Sequence, residues 1–293
     1  MQMKKIGFIG TGIMGAAMAQ NLMNAGYQLH IYNRTKAKAQ GLIDTGALWC
    51  DTPLACAMDA DIVITMVGNA KDVEDIYFGT DGLIANLRPG TYLIDATTSS
   101  PALAARIGAE AAKKGLRALD APVTGGDAGA KAGTLIFFVG GEEKTCEELQ
   151  PVFSAMGKKV VYAGESGSGQ HMKMCNQIAV AGALSGACEA IIYARAAGLD
   201  ERMVLETIAA GAAGSYQLSN VVKRGVAGDN DPGFMMKHFV KDLNLADEAA
   251  HGNGLTLDVL EVVRDSCQKL AESGYAEDGT QILLKYYADQ IAR

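Results

Sequence analysis

At 293 residues the chain exceeds the usual reach of one hydrophobic core, so two domains are expected. A net charge of -7 without any basic cluster excludes nucleic acid as the partner, because affinity for a phosphate backbone needs concentrated Lys and Arg. The six cysteines (Cys50, Cys56, Cys146, Cys175, Cys188, Cys267) form no C-x-x-C pair, no metal site is expected, and nothing at the N-terminus resembles a signal peptide. Reduced thiols and a cytoplasmic location follow as expectations.

In chain order, Lys5 to Ile9 reads as a short apolar strand, followed at once by Gly10, Thr11, Gly12, Ile13, Met14 and Gly15 and an alanine-rich helix that stops at Gly26. A strand, a tight glycine turn and a helix N-terminus aimed at a pyrophosphate make a dinucleotide fingerprint in its required context. The second strand, Gln28 to Tyr32, ends in Asn33, Arg34 and Thr35, with Lys36 and Lys38 beyond. An acid there would bond the ribose 2'-hydroxyl of NAD; an arginine and a hydroxyl instead accept a 2'-phosphate, so NADP(H) is favoured and NAD(H) possible. Arg34 as a solvated turn residue is the alternative.

Apolar strands are expected at Asp61 to Val67, Thr91 to Ala96 and Leu116 to Leu119, and a helix opens at Pro101 and closes near Gly115. Ligands lie at the carboxyl ends of such strands, which places Met66, Val67 and Thr98 along the cofactor's path or leaves them as simple loop residues. After Asp120, the hydroxyl of Thr124 and the paired backbone amides of Gly125 and Gly126 can form an anion nest suited to a carboxylate, or a plain glycine turn. A helix over Glu142 to Met156 and a strand over Lys159 to Tyr162 come next.

The stretch Gly164 to Asn176 runs a glycine-rich loop into a long apolar helix. Its glycines allow close backbone approach to a ligand, and Lys173 and Asn176, three residues apart, share one helical face. A lysine at the mouth of a buried helix is partly desolvated, which suits proton transfer, unless it snorkels to solvent. The small residues, Ser185 and Glu189 argue for a buried helix and no membrane span. Only helices are expected after Gly169: about 170–197, 201–210, 215–227, 237–251, 258–273 and 279–291, with Asp200, Asp258 and Asp278 as N-caps and Gly198, Gly252 and Gly274 as stops. Lys241 on one of them reads, from spacing alone, more readily as an ordinary exposed lysine than as a ligand contact.

Four segments in order, Gly10 to Gly15, Asp120 to Gly126, Gly164 to Asn176 and Lys241 to Ala246, resemble the beta-hydroxyacid dehydrogenase family over essentially the whole chain. That family includes 3-hydroxyisobutyrate dehydrogenases and tartronate, glyoxylate and succinic semialdehyde reductases. The resemblance implies an α/β fold: an N-terminal Rossmann domain with a parallel sheet (1–164), then an all-α substrate and oligomerisation domain (165–293) joined by the long helix. It also implies Lys173 as acid-base, Asn176 as the substrate-orienting amide, Thr124, Gly125 and Gly126 as the carboxylate site, and Lys241 near the nicotinamide. Thr124 in place of the usual serine, Leu255-Thr256-Leu257 in place of L-P-[LM], and Val240 before the Lys-Asp pair depart from the pattern and bear on substrate identity. The expected function is NADP(H)-dependent interconversion of a small carboxylate-bearing aldehyde and its hydroxyacid. NAD-linked 3-hydroxyisobutyrate dehydrogenase, an imine reductase or a non-catalytic nucleotide-binding module are the alternatives. Apolar surface on the helical domain implies a homodimer or homotetramer.

Overall fold

A computed structural model describes residues 5–291. The outermost residues of the two expected spans, 1–4 and 292–293, lie outside the described residues. The chain divides into two compact units, Met1–Lys173 and Met174–Arg293. The helix Ser168–Ala196 begins in the first and continues into the second, so the division falls within the helix, beyond the 164/165 boundary expected from sequence.

The first unit is a nine-stranded sheet built from β1 (Lys5–Ile9), β2 (Gln28–Tyr32), β3 (Leu48–Trp49), β4 (Ile62–Thr65), β5 (Tyr92–Asp95), β6 (Arg117–Asp120), β7 (Val123–Thr124), β8 (Leu135–Gly141) and β9 (Gly157–Gly164). The order 3-2-1-4-5-6 is parallel throughout, and β8 then joins β6 antiparallel, with β7 and β9 both paired to β8. Strand order reverses between β1 and β4, which is where such sheets open a crevice for a ligand. Alternation of side chains fills both faces: Ile6, Phe8, Ile62, Ile64 and Ile94 enter one core, and Ile9, Val63 and Leu93 the other. A strand buried on both faces needs an unbroken apolar run, which explains the readability of Ile62–Thr65.

Short elements escaped the sequence reading. The helix Pro53–Ala57 is started by Thr52, whose hydroxyl accepts from the Ala55 amide, and Ala70–Phe78 by Asn69, which accepts from the Asp72 amide. The helix expected over Glu142 to Met156 is two, Glu143–Glu148 and Gln150–Met156, because Pro151 has no N–H and opens a new first turn.

The second unit is helical, with one isolated bridge, Met235 to Gly279, among the described residues. Ser168–Ala196 is long and apolar enough by length and composition to cross a membrane. Within the second unit Ala181, Leu184, Cys188 and Ile191 recur at helical spacing, are fully buried, and form its core with Leu218, Phe239, Leu243 and Val263. Asp200 caps Glu201–Ala209 by accepting from the Met203 amide. The other two expected caps shift by one residue: Leu257 precedes the helix Asp258–Leu270, leaving Asp258 inside its first turn, and Gly279 precedes the short turn Thr280–Ile282. The left-handed stop after Met236–Gly252 is Gly254 (φ 73°), not Gly252, which is still helical.

Candidate active site

The three glycines after β1 do three different things. Gly10 has φ 101°, and a Cβ there would meet the Met66 carbonyl oxygen at 2.2 Å; at Gly15 it would meet the Gly10 oxygen at 1.9 Å. At Gly12 it would meet nothing within 4 Å. The first and third glycines therefore let the protein pack on itself, while the second leaves open space at the start of the helix Ile13–Asn24. That helix start has no side-chain cap and no acid in its first turn, the condition for holding a phosphate.

Asn33 turns inward: its Oδ1 accepts from the Thr11 amide at 3.0 Å and its Nδ2 donates to the Thr35 carbonyl at 2.9 Å. Its amide thus fixes the glycine turn to the end of β2. Arg34 is 84% exposed at its side chain and lies 3.5 Å from Asp72, a separation at which an exposed pair contributes about 0–1 kcal/mol. Thr35 begins a short turn without using its hydroxyl as a cap, and the Lys36 ammonium lies 5.2 Å over the Trp49 ring.

Behind the carboxyl ends of β4, β5 and β6 runs a buried polar network. The Asp95 carboxylate accepts from the Thr65 hydroxyl (2.8 Å), the Thr97 amide (3.1 Å) and the Ser99 hydroxyl (3.4 Å), while the Thr97 hydroxyl accepts from the Val67 amide (3.0 Å). Met66 in turn donates its amide to the Ile9 carbonyl, so the expected cofactor-path residues Met66 and Val67 are held between two strand ends. Thr98 is half-buried between buried Thr97 and Ser99. Burial pushes the Asp95 carboxyl up to about 6, against the lowering effect of its hydrogen bonds.

A carboxyl whose folded pKa is raised binds more protons in the native state, so its contribution to stability is present below 3.8 and lost as pH rises through about 6. Asp95→Asn keeps the shape and an acceptor, and should remove a fall on the order of 3 kcal/mol over that window. Urea unfolding of both proteins across the window checks this; parallel curves would contradict it.

Asp120, at the end of β6, anchors the loop ahead of the long helix. Its Oδ1 accepts from the Gly167 amide at 2.7 Å and its Oδ2 from the Gln170 amide at 2.8 Å. Burial raises its pKa and these backbone bonds oppose the rise. Here the structure corrects the sequence reading. Gly167 and Gly169 are needed for close packing within the protein, since a Cβ at Gly169 would lie 2.4 Å from the Phe138 carbonyl oxygen and one at Gly167 2.8 Å from that of Pro101. The loop fixes the start of the helix that carries Lys173 and Asn176.

Lys173 follows one turn later. It is 7% exposed, and its ammonium donates to the Val123 carbonyl at 3.0 Å, so it is buried and does not snorkel. Val123 immediately precedes Thr124, Gly125 (φ 131°) and Gly126 (φ 63°), whose positive φ values open the exposed turn at the start of the helix Gly126–Ala132. The proton donor expected from sequence and the expected carboxylate nest thus meet at Val123. Asp127 beside the nest is engaged with the Ala128 amide and, at 3.3 Å, the Lys131 ammonium.

In the second unit a relay of side chains ties together the other two expected residues. Asn176 donates to Gln177 Oε1 at 2.7 Å, Gln177 donates to Asp242 Oδ2 at 2.7 Å, and the Lys241 ammonium lies 2.9 Å from Asp242 Oδ1. Gln177 and Asp242 are each only 3% exposed, and Lys241 is 23% exposed at its side chain, so Lys241 is a positioned charge and not a surface lysine. Gln170, Gln177 and the Asp95 carboxyl were not singled out from sequence; Gln170 reaches Ser99 and Thr97 across 71 and 73 residues, Gln177 reaches Asp242 across 65 and Asp95 reaches Thr65 across 30, so no local spacing marks these bonds.

Two family models cover the chain. Residues 5–164 match the NAD binding domain of 6-phosphogluconate dehydrogenase, and residues 167–287 match the NAD-binding model of NADP-dependent 3-hydroxyisobutyrate dehydrogenase. The chain belongs to the beta-hydroxyacid dehydrogenase family. An uncharacterised oxidoreductase of Bacillus subtilis, YkwC, is 48% identical, with 97% of this chain and 99% of that protein covered. The NAD-dependent L-serine dehydrogenase of Pseudomonas aeruginosa is 37% identical over 97% of this chain and 98% of its own length. The structure of Mycobacterium tuberculosis 3-hydroxyisobutyrate dehydrogenase with L-serine superposes with a TM-score of 0.89 at 31% identity, over 97% of this chain and 99% of that one. As a beta-hydroxyacid dehydrogenase the chain is an NAD(P)-binding oxidoreductase acting on hydroxyl groups.

Proposed function

We propose that this dehydrogenase works as an NADP(H)-dependent reductase of a small carboxylate-bearing aldehyde, running in reverse on the 3- or 4-hydroxyacid. The observation that carries the reading is the buried Lys173 ammonium, 3.0 Å from the carbonyl that leads into Thr124, Gly125 and Gly126. A substrate with a carboxylate in that turn brings its carbonyl carbon, a few bonds away, within reach of the lysine.

Cofactor fit is supported by the open space at Gly12 and the uncapped helix start, which suit a pyrophosphate, and by the lack of an acid at the end of β2. In the proposed assignment Gly10 to Gly15 hold the phosphates, Asn33 keeps the turn in shape, Arg34 and Thr35 hold the 2'-phosphate, and Met66, Val67, Thr98 and Lys241 border the rest of the cofactor. NADPH, when bound, supplies the hydride. Lys173 stabilises the charge developing on the substrate oxygen and passes its proton there. Asn176 orients the same oxygen, with its own amide held by Gln177.

Charge-assisted contacts of Arg34 with a phosphate contribute about 1.5–3 kcal/mol, or roughly tenfold to a hundredfold in cofactor preference. Arg34→Ala should erase that preference in isothermal titration against NADPH and NADH. The second reading is NAD-linked oxidation of a hydroxyacid, and Asp72 beside Arg34 favours it, since an acid there opposes a 2'-phosphate. Equal or tighter binding of NADH by the wild-type protein would establish that second reading. Rates on glyoxylate and on tartronate, succinic and methylmalonate semialdehydes with each cofactor would identify the substrate. Assembly through the helical unit as a homodimer or homotetramer belongs to the same proposal, and a monomer mass by light scattering would refute it.

A further inference from the structure

Gln170 is completely buried at the start of the long helix, and its backbone amide and both ends of its carboxamide bond residues at or just beyond the ends of β5 and β6. Its backbone amide donates to Asp120 Oδ2. Its side-chain Oε1 accepts from the Ser99 amide at 3.0 Å, and its Nε2 donates to the Thr97 carbonyl at 2.7 Å. The carboxamide therefore grips the main chain on either side of Thr98. Asp95 holds the same turn through the Thr97 amide and the Ser99 hydroxyl.

Three residues after Gln170 on the same helix stands Lys173. One side chain thus joins the turn that displays Thr98 to the helical turn that displays the proton donor. In hydride transfer the donor carbon, the acceptor carbonyl and the acid must share one frame, and displacement by about 1 Å can cost on the order of a hundredfold in rate.

We infer that Gln170 is a positioning residue, which sets the distance between the nicotinamide path at Thr98 and the proton donor Lys173. This rests on the proposed roles of Thr98 and Lys173. A methionine fills nearly the same volume but can neither accept from Ser99 nor donate to Thr97. A glutamate keeps the acceptor and loses the donor.

The test compares Gln170→Met, Lys173→Ala and the double variant with the wild type on succinic semialdehyde and NADPH, with and without deuterium in the transferring position of NADPH. Gln170→Met should lower kcat by about tenfold to a hundredfold and raise the deuterium isotope effect, because hydride transfer becomes slower than release steps. NADPH affinity and aldehyde KM should stay within about twofold; loss of folded enzyme would also lower the apparent kcat alone but would leave the isotope effect at its wild-type value, so the isotope effect separates the two. The double variant should lose little more than Lys173→Ala alone, since residues acting as a unit are not additive. A folded Gln170→Met with wild-type kcat and isotope effect, or a double variant whose losses multiply, would overturn the inference. If Gln170→Met does not fold, Gln170→Glu takes its place with the same expected and overturning results. A near wild-type Lys173→Ala would instead sink the proposed proton donor, a failure read separately from that of Gln170.

Discussion

Lys173→Ala should lower kcat by roughly a hundredfold to ten-thousandfold, the usual contribution of a positioned acid-base group, while NADPH affinity stays nearly unchanged. The expectation rests on burial and geometry: Lys173 is 7% exposed and its ammonium is bonded to the Val123 carbonyl, ahead of the turn proposed to hold the carboxylate. Alanine removes the proton source without touching the glycine turn after β1, so binding and chemistry separate. Asn176→Ala should cost less, because an amide orients the substrate oxygen but supplies no proton at neutral pH. In the oxidative direction the rate should rise with pH where the wild-type lysine loses its proton, and that limb should vanish in the variant. Steady-state kinetics with cofactor titration checks both. Near wild-type kcat in Lys173→Ala would move the acid to exposed His171 or to Lys241.

The second large effect separates two glycines three residues apart. Gly15→Ala places a methyl 1.9 Å from the Gly10 carbonyl oxygen and 3.2 Å from the Phe8 ring, so helix and strand must part. Overpacking of this kind costs about 1–3 kcal/mol, and more where only backbone can yield. Gly12→Ala meets nothing within 4 Å, and Gly12 has φ -71°, which alanine adopts freely. Its unfolding midpoint should match the wild type, yet NADPH affinity should fall by about tenfold or more, because the added methyl occupies the space through which the backbone reaches a phosphate. Urea unfolding and isothermal titration on both variants give the comparison. Equal loss of stability in the two, or wild-type NADPH binding by Gly12→Ala, would contradict these glycine roles.

What could be read from the sequence was whatever rests on local spacing. The strand, glycine turn and helix of residues 5–24 carry their signal within one short run, and buried parallel strands such as Ile62–Thr65 are unbroken apolar runs. The cofactor, carboxylate and proton-donor positions were named from such runs and from the family resemblance. The network that holds them was hidden, because its bonds join residues distant in sequence: Asp120 to Gly167 and Gln170 across 47 and 50 residues, and Gln177 to Asp242 across 65. The same cause misplaced the purpose of the loop glycines. In Gly164 to Gly169 a run of glycines beside a catalytic helix suggests a ligand, and only the fold shows Phe138, Pro101 and Asp120 filling the space. Caps at Asp258 and Asp278 were misplaced by a single residue, since a helix start is settled by the backbone of Leu257 and Gly279 and not by the nearest acid.

On the proposed function, hydride passes between NADP(H) and an aldehyde selected by its carboxylate. The most direct test follows deuterium from the transferring position of NADPH into product, by mass spectrometry, with succinic semialdehyde and with propanal at equal concentration. Deuterium should appear on the new alcohol carbon of the hydroxyacid, and the rate on propanal should be lower by about tenfold to a hundredfold, the loss expected when a charge-assisted anchor has no partner. Comparable rates on the two aldehydes, or no transfer to succinic semialdehyde or to any other small acid-bearing aldehyde, would contradict the proposed function.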